Sequence, residues 1–115
     1  MEQKRVSFKV AKAIKEAGYS QYNCRHWYSE RGVEYEWYGC IEELESIKMD
    51  SDIDAPTYLE VWLWLWREKD IRIQPEFGSV YIWPIGIRID DYKYEDLEEA
   101  IIAAIEYLVE NDLIK

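Results

Sequence analysis

Cys24 and His26 stand two residues apart in "CRHWYSERG", and a second cysteine, Cys40, follows. On a strand, side chains two residues apart point the same way, so a Cys-x-His pair offers a thiolate and an imidazole to one metal ion. With Cys40 the set reaches three ligands. Structural zinc takes four, and the tight Cys-x2–4-Cys turn of such sites is absent. The same pair suits a small enzyme in which the imidazole lowers the thiol pKa and Cys24 attacks a substrate. Neither an orienting carboxylate nor an oxyanion hole can be placed beside it. The simpler reading is a hairpin with a packed cysteine and a half-exposed histidine. The expectation is therefore no catalytic residue, no metal ligand, no cofactor, and a binding protein rather than an enzyme.

Acidic residues are abundant but equally short of a motif. "DSDID", Asp50–Asp54, alternates acids as part of a calcium loop does, yet lacks that loop's central glycine and closing glutamate. No phosphate-cradling glycine loop, GxSxG or HExxH occurs.

The aromatic residues carry more information. Trp27, Trp37, Trp83, Tyr28, Tyr35, Tyr38 and Tyr81 fall on predicted strands. A sheet face of aromatics can stack unpaired bases or sugars, but base stacking comes with a basic groove and this region is acidic. Burial under helices accounts for most of them.

"VWLWLW", Val61–Trp66, alternates as a strand would. Its flanks say otherwise. Thr57 with Glu60 three residues on forms a capping box, and Arg67 and Lys69 suit the carbonyl pole of a helix. On a helical projection Tyr58, Leu59, Trp62, Leu65 and Trp66 share a core-facing arc with Leu63 at its edge. Trp64 then falls opposite, among Glu60, Arg67 and Glu68, with Val61 beside it. An exposed tryptophan with an apolar neighbour marks a contact site, so Trp64, Val61, Arg67 and Glu60 are the candidate partner-binding residues.

The elements that would position these residues can be read along the chain. A first helix starts near Ser7 and ends at Gly18, with Val6, Val10, Ala13, Ile14 and Ala17 inward and Phe8 set within a basic stripe of Arg5, Lys9, Lys12 and Lys15. Cys24–Ser29 and Val33–Tyr38 form a hairpin turned by "ERG". "IEELESIKM" suggests a short helix, and "DSDIDAP" is the polar segment expected to be most flexible. After the tryptophan helix come a strand at Ile71–Gln74, a "PEFG" turn, and one long or bent strand, "SVYIWPIGIRID". That strand carries Tyr81, Trp83, Ile85, Ile87 and Ile89 on one face, with Pro84 marking an edge or bulge. A final helix carries Leu97, Ala100, Ile101, Ala104, Ile105 and Leu108 as its core stripe, with Glu95, Asp96, Glu98 and Glu99 in its first turns. The order α-β-β-(α)-α-β-β-α predicts an α+β fold. It would be a single domain over residues 1–115, with a small, mainly antiparallel sheet of two hairpins packed against three main helices.

Charge and composition narrow the partners. The first 18 residues carry a net +3 and the remaining 97 a net −13, together −10. Such a field repels a phosphate backbone, which disfavours generic nucleic-acid binding. The longest apolar run is six residues, too short for a membrane span, and "MEQKRVSFKV" lacks the apolar block of a signal peptide, so a cytoplasmic protein with two plain thiols is expected. The partner would be a protein, either a second copy in a homodimer or a host protein. A rival reading of the same charge is an acidic mimic of nucleic acid that blocks a host defence protein.

"AKAIKEAGY", "CRHWYSERG", "APTYLEVWLWLWREKDIRI" and "YEDLEEAIIAAIEYLV" together resemble a group of small proteins encoded by phages and mobile elements of Bacteroides and related gut bacteria. Their pattern is a leading "LLKEAGF"-like helix, a short aromatic stretch, an "APT…WLREK" helix running into an I-x-I strand, and a closing "YEEAL…AI…AL" helix. The likeness spans nearly the whole chain. It departs from the pattern where tryptophans crowd helix positions that are often polar. It implies a phage or mobile-element origin and a compact α+β fold, and it supplies no activity and no site residues.

Overall fold

Ser7 opens the first helix by accepting a hydrogen bond from the Val10 N–H at 3.3 Å, and α1 runs Phe8–Glu16 with Gly18 just past its end. The computed structural model describes residues 4–20, 24–76, 78–90 and 96–114. Within it the chain is α+β, with two three-stranded antiparallel sheets and three main helices. The chain forms two compact units, Arg5–Pro56 and Thr57–Lys115 with Met1–Lys4.

In the unit Arg5–Pro56, β1 (His26–Tyr28) pairs with β2 (Glu34–Glu36) through the predicted "ERG" turn, where Ser29 N–H donates to the Val33 carbonyl at 2.8 Å. A 3-10 turn at Ile41–Glu43 leads into α2 (Leu44–Ile47), which meets the short-helix expectation. The "DSDIDAP" segment departs from its expected flexibility. Ile53–Asp54 form β3, which pairs with Trp27 and Tyr28 on the free side of β1, and Ile53 through Pro56 are buried. Polarity misled the reading because Asp54 is neutralised in place: Lys48, half-wrapped over the Trp27 ring at 5.4 Å, forms an ion pair with its carboxylate. Lys15 fixes the loop before it, donating to the carbonyls of Asp50 and Asp52 at 3.2 and 3.1 Å.

Val10, Ala11 and Ile14 form the buried face of α1, with Val6 just ahead of it. Phe8 is not a lone aromatic among cations. Its ring lies 5.5 Å from that of Tyr28, whose hydroxyl donates to the Val6 carbonyl at 2.7 Å. The same ring covers Gly32, where a Cβ would come within 3.1 Å of it at a backbone φ of +86°. Gly32→Ala therefore combines a left-handed conformation with a tight contact. It is expected to cost about 1–2 kcal/mol, read as a lower urea midpoint. An unchanged midpoint would show that the turn relaxes freely.

In the second unit the capping box forms as predicted. Thr57 Oγ1 accepts from Glu60 N–H at 3.2 Å, and Glu60 Oε1 accepts from Thr57 N–H at 3.1 Å, starting α3 (Tyr58–Lys69). Three strands follow in order along the sheet, β4 (Arg72–Glu76), β5 (Ser79–Trp83) and β6 (Ile87–Asp90), and α4 (Leu97–Glu110) closes the chain. The expected single strand after the "PEFG" turn is thus a hairpin. Pro84 has no N–H to extend the ladder, and Gly86 at φ +80° lets the chain reverse and donate to the Ile82 carbonyl at 2.9 Å. Phe77 of the "PEFG" turn and Glu95 of the last helix's approach lie outside the described residues. The sheet presents Ile73, Val80 and Ile82 as buried positions of β4 and β5, against which α4 packs with Ala100, Ile101, Ala104, Ile105 and Leu108. Leu97, placed in that stripe from sequence, is 58% exposed because it is the first helical residue. Among the described residues no helix is long and apolar enough to cross a membrane.

Candidate functional site

The orientation of α3 decides which tryptophans are available. Its buried residues are Tyr58, Val61 and Leu65, a 3–4 spaced stripe centred roughly 70° away from the arc expected from sequence, at 100° per residue. Val61, predicted beside an exposed face, is fully buried. Trp66, predicted as core, is 52% exposed. Trp64 is half-buried with the Lys69 ammonium 5.6 Å from its ring centre. Glu60 has its carboxylate committed to the capping box, and Arg67 is exposed. The four residues therefore do not form the exposed aromatic face that the sequence suggested. The physical reason is that apolar side chains circle most of α3, so hydrophobicity alone leaves the helix rotation undetermined.

The surface that does form is built by register. The hairpin β4–β5 sets Arg72 directly opposite Trp83 and Gln74 opposite Tyr81. Ile73 alternates inward, which sends Arg72 to the outer face. Trp66, in the last turn of α3, reaches the same point. The Arg72 guanidinium carbon lies 5.2 Å from the Trp83 ring centre and 5.9 Å from that of Trp66, so two indoles hold one cation. Each such contact contributes about 0.5–1 kcal/mol at an exposed site.

Trp62 secures the helix to the strand, its indole N–H donating to the Ile73 carbonyl at 3.0 Å. Between α3 and β4 this leaves a groove of about 400 Å3 lined by Trp62, Trp66, Arg72, Ile73, Gln74 and Pro75. The β4 strand is the sheet edge, which is where Pro75 is tolerated. None of the described residues lining the groove can act as an acid, base or nucleophile at neutral pH. It offers a fixed cation, an amide and aromatic walls, which is the equipment of a binding site.

A second arginine on the same sheet face behaves differently. Arg88 pairs with Asp90 at 3.1 Å and Glu76 at 3.5 Å and donates to the Ser79 hydroxyl at 3.4 Å. The Arg72 side chain makes no hydrogen bond or ion pair among the described residues.

The Cys24–His26 pair finds little support as chemistry. Burial pushes the Cys24 thiol up from its ordinary value, offset in part by a hydrogen bond from the His26 backbone and, less, by the Arg5 guanidinium, whose Nη1 is 3.7 Å from Sγ. A raised pKa is the wrong direction for a nucleophile at neutral pH. His26 Nδ1 lies 3.9 Å from the carboxylate of Glu36, its cross-strand partner. Cys24 and Cys40 are both free thiols, and among the described residues no group of three His, Cys, Asp or Glu is placed to hold a metal ion.

No protein-family model, curated protein or solved structure matches the chain.

Proposed function

We propose that this protein is a non-enzymatic interaction module that binds another protein through the aromatic groove beside α3. The observation that carries this reading is the pair of exposed indoles, Trp66 and Trp83, whose ring centres lie 5.9 and 5.2 Å from the guanidinium of Arg72, a residue that lines the groove. Tryptophan and arginine are the residue types in which interface binding energy concentrates. Leu63 and Ile85 are also exposed apolar side chains of the same unit. The candidate contact thus moves from Trp64 and Val61 to Trp66 and Trp83. The resemblance to phage and mobile-element proteins makes a cytoplasmic host protein the natural candidate.

The test begins with affinity capture from host cells and continues with titration of the purified captured protein against three full-length variants. Trp66→Ala and Trp83→Ala are each expected to weaken binding about tenfold or more, some 1.4 kcal/mol each. Trp64→Ala should stay within about twofold. A partner whose affinity ignores both Trp66 and Trp83 would remove the groove from the interaction.

A further inference from the structure

We infer that the groove between α3 and β4 reads an acidic peptide segment. An Asp or Glu of the partner sits on the edge of the Arg72 guanidinium, and a neighbouring aromatic ring lies against Trp62 and Trp66. This rests on the protein-binding reading above and adds the chemistry that the surface recognises.

A guanidinium in cation–π contact keeps N–H groups able to fork onto a carboxylate. The Arg72 guanidinium carbon lies 5.2 Å from the Trp83 ring centre and 5.9 Å from that of Trp66, within reach of such contact with both. Its N–H groups have no protein acceptor among the described residues, in a chain with 24 acidic side chains against 14 basic ones. Arg88, on the same sheet face, is paired with Glu76, Asp90 and Ser79. The contrast leaves Arg72 as a positioned cation without a counter-ion among the described residues.

One fork, with no second cation among the described residues lining the groove, matches a monoanionic carboxylate better than a phosphate dianion. The chain's overall negative charge does not cancel the pair, since at physiological salt it is screened beyond about 8 Å. The groove's roughly 400 Å3 lies within the range of sites that enclose a ligand group, and Trp62, Trp66, Ile73 and Pro75 give it apolar walls.

Reading is by side chains and not by adding a strand to the sheet edge. Pro75 has no N–H to offer, and the Ile73 carbonyl is already taken by the Trp62 indole.

Full-length protein labelled with nitrogen-15 is titrated with a capped pentapeptide carrying glutamate between two phenylalanines, and with its glutamine counterpart. The glutamate peptide should shift the Arg72 Nε–H and the Trp66 and Trp83 indole signals and bind about tenfold tighter than the glutamine peptide. Arg72→Lys keeps the charge but not the fork and should lose most of that preference. Trp83→Phe, which leaves a smaller ring over Arg72, should lose part of it and serves as the second variant if Arg72→Lys disturbs the fold. If both peptides move the indole signals with equal affinity, the acidic preference is overturned while the binding surface stands. If neither peptide moves them, both readings fall.

Discussion

Lys48→Met is expected to cost about 3 kcal/mol or more of folding stability near neutral pH. Asp54 is buried on β3, and Lys48, itself largely covered, is its counter-ion. Burial already holds the Asp54 carboxyl above the usual carboxylate range, with the Lys48 hydrogen bond and charge opposing that rise. Removing the ammonium leaves the burial penalty unopposed and pushes the carboxyl further up.

A carboxyl whose folded pKa exceeds its unfolded value contributes stability that is fully present below the unfolded pKa, about 3.9. That contribution is lost as pH rises through the folded pKa. The gap between the wild type and Lys48→Met should therefore be widest near pH 7 and narrow on acidification toward about pH 4, where Asp54 takes up a proton and no longer needs a counter-ion. Urea unfolding at the two pH values measures it. Adding Asp54→Asn to Lys48→Met should recover much of the loss, because no buried charge is then left unpaired. A loss that grows with acidification, or a double variant no better than the single one, would show that Lys48 acts through its packing on Trp27 and not through Asp54.

This pair also shows why the segment around it was misread. "DSDIDAP" has the composition of a solvated loop, and local polarity argues for flexibility. What orders it is non-local: β3 docks on β1 some 26 residues away by pairing Ile53 with Tyr28 and Asp54 with Trp27, and Lys48 neutralises Asp54, the acid of this segment that is buried. By contrast, signals written within a few residues were fully legible. Ser7, the Thr57–Glu60 box and the "ERG" turn each sit where the sequence put them, since a cap or a turn is decided by groups three or four positions apart. The α4 stripe was also legible: Ala100, Ile101, Ala104, Ile105 and Leu108 are buried as predicted, with exposed Leu97 the exception.

The site was half-legible. An exposed tryptophan on α3 followed from crowding three indoles onto one helix, but which one it was did not. Arg72 was missed because the predicted hairpin across the "PEFG" turn was given no register. Centring the hairpin on that turn places Arg72 opposite Trp83, the register found in the structure. The sequence thus contained the strand half of the cluster, while the helix half depended on a rotation that only packing fixes.

That rotation makes the second large prediction. If the stripe Tyr58, Val61 and Leu65 is the buried one, Leu65→Ala should lose about 2–5 kcal/mol, the range for truncating a fully buried leucine. Val61→Ala should lose about 2 kcal/mol, from two methyl groups and a partly filled cavity. Trp66→Ala deletes a far larger side chain, yet with half its surface in water and one cation contact to lose it should cost no more than about 1 kcal/mol. The arc drawn from sequence predicts a different order, with Trp66 among the most costly positions and Val61 nearly neutral. Urea midpoints of the three variants separate the two rotations directly. The order Leu65, Val61, Trp66 from most to least costly supports the packing described here, and it also makes Trp66 removable without unfolding, the condition under which its loss can be read as lost binding.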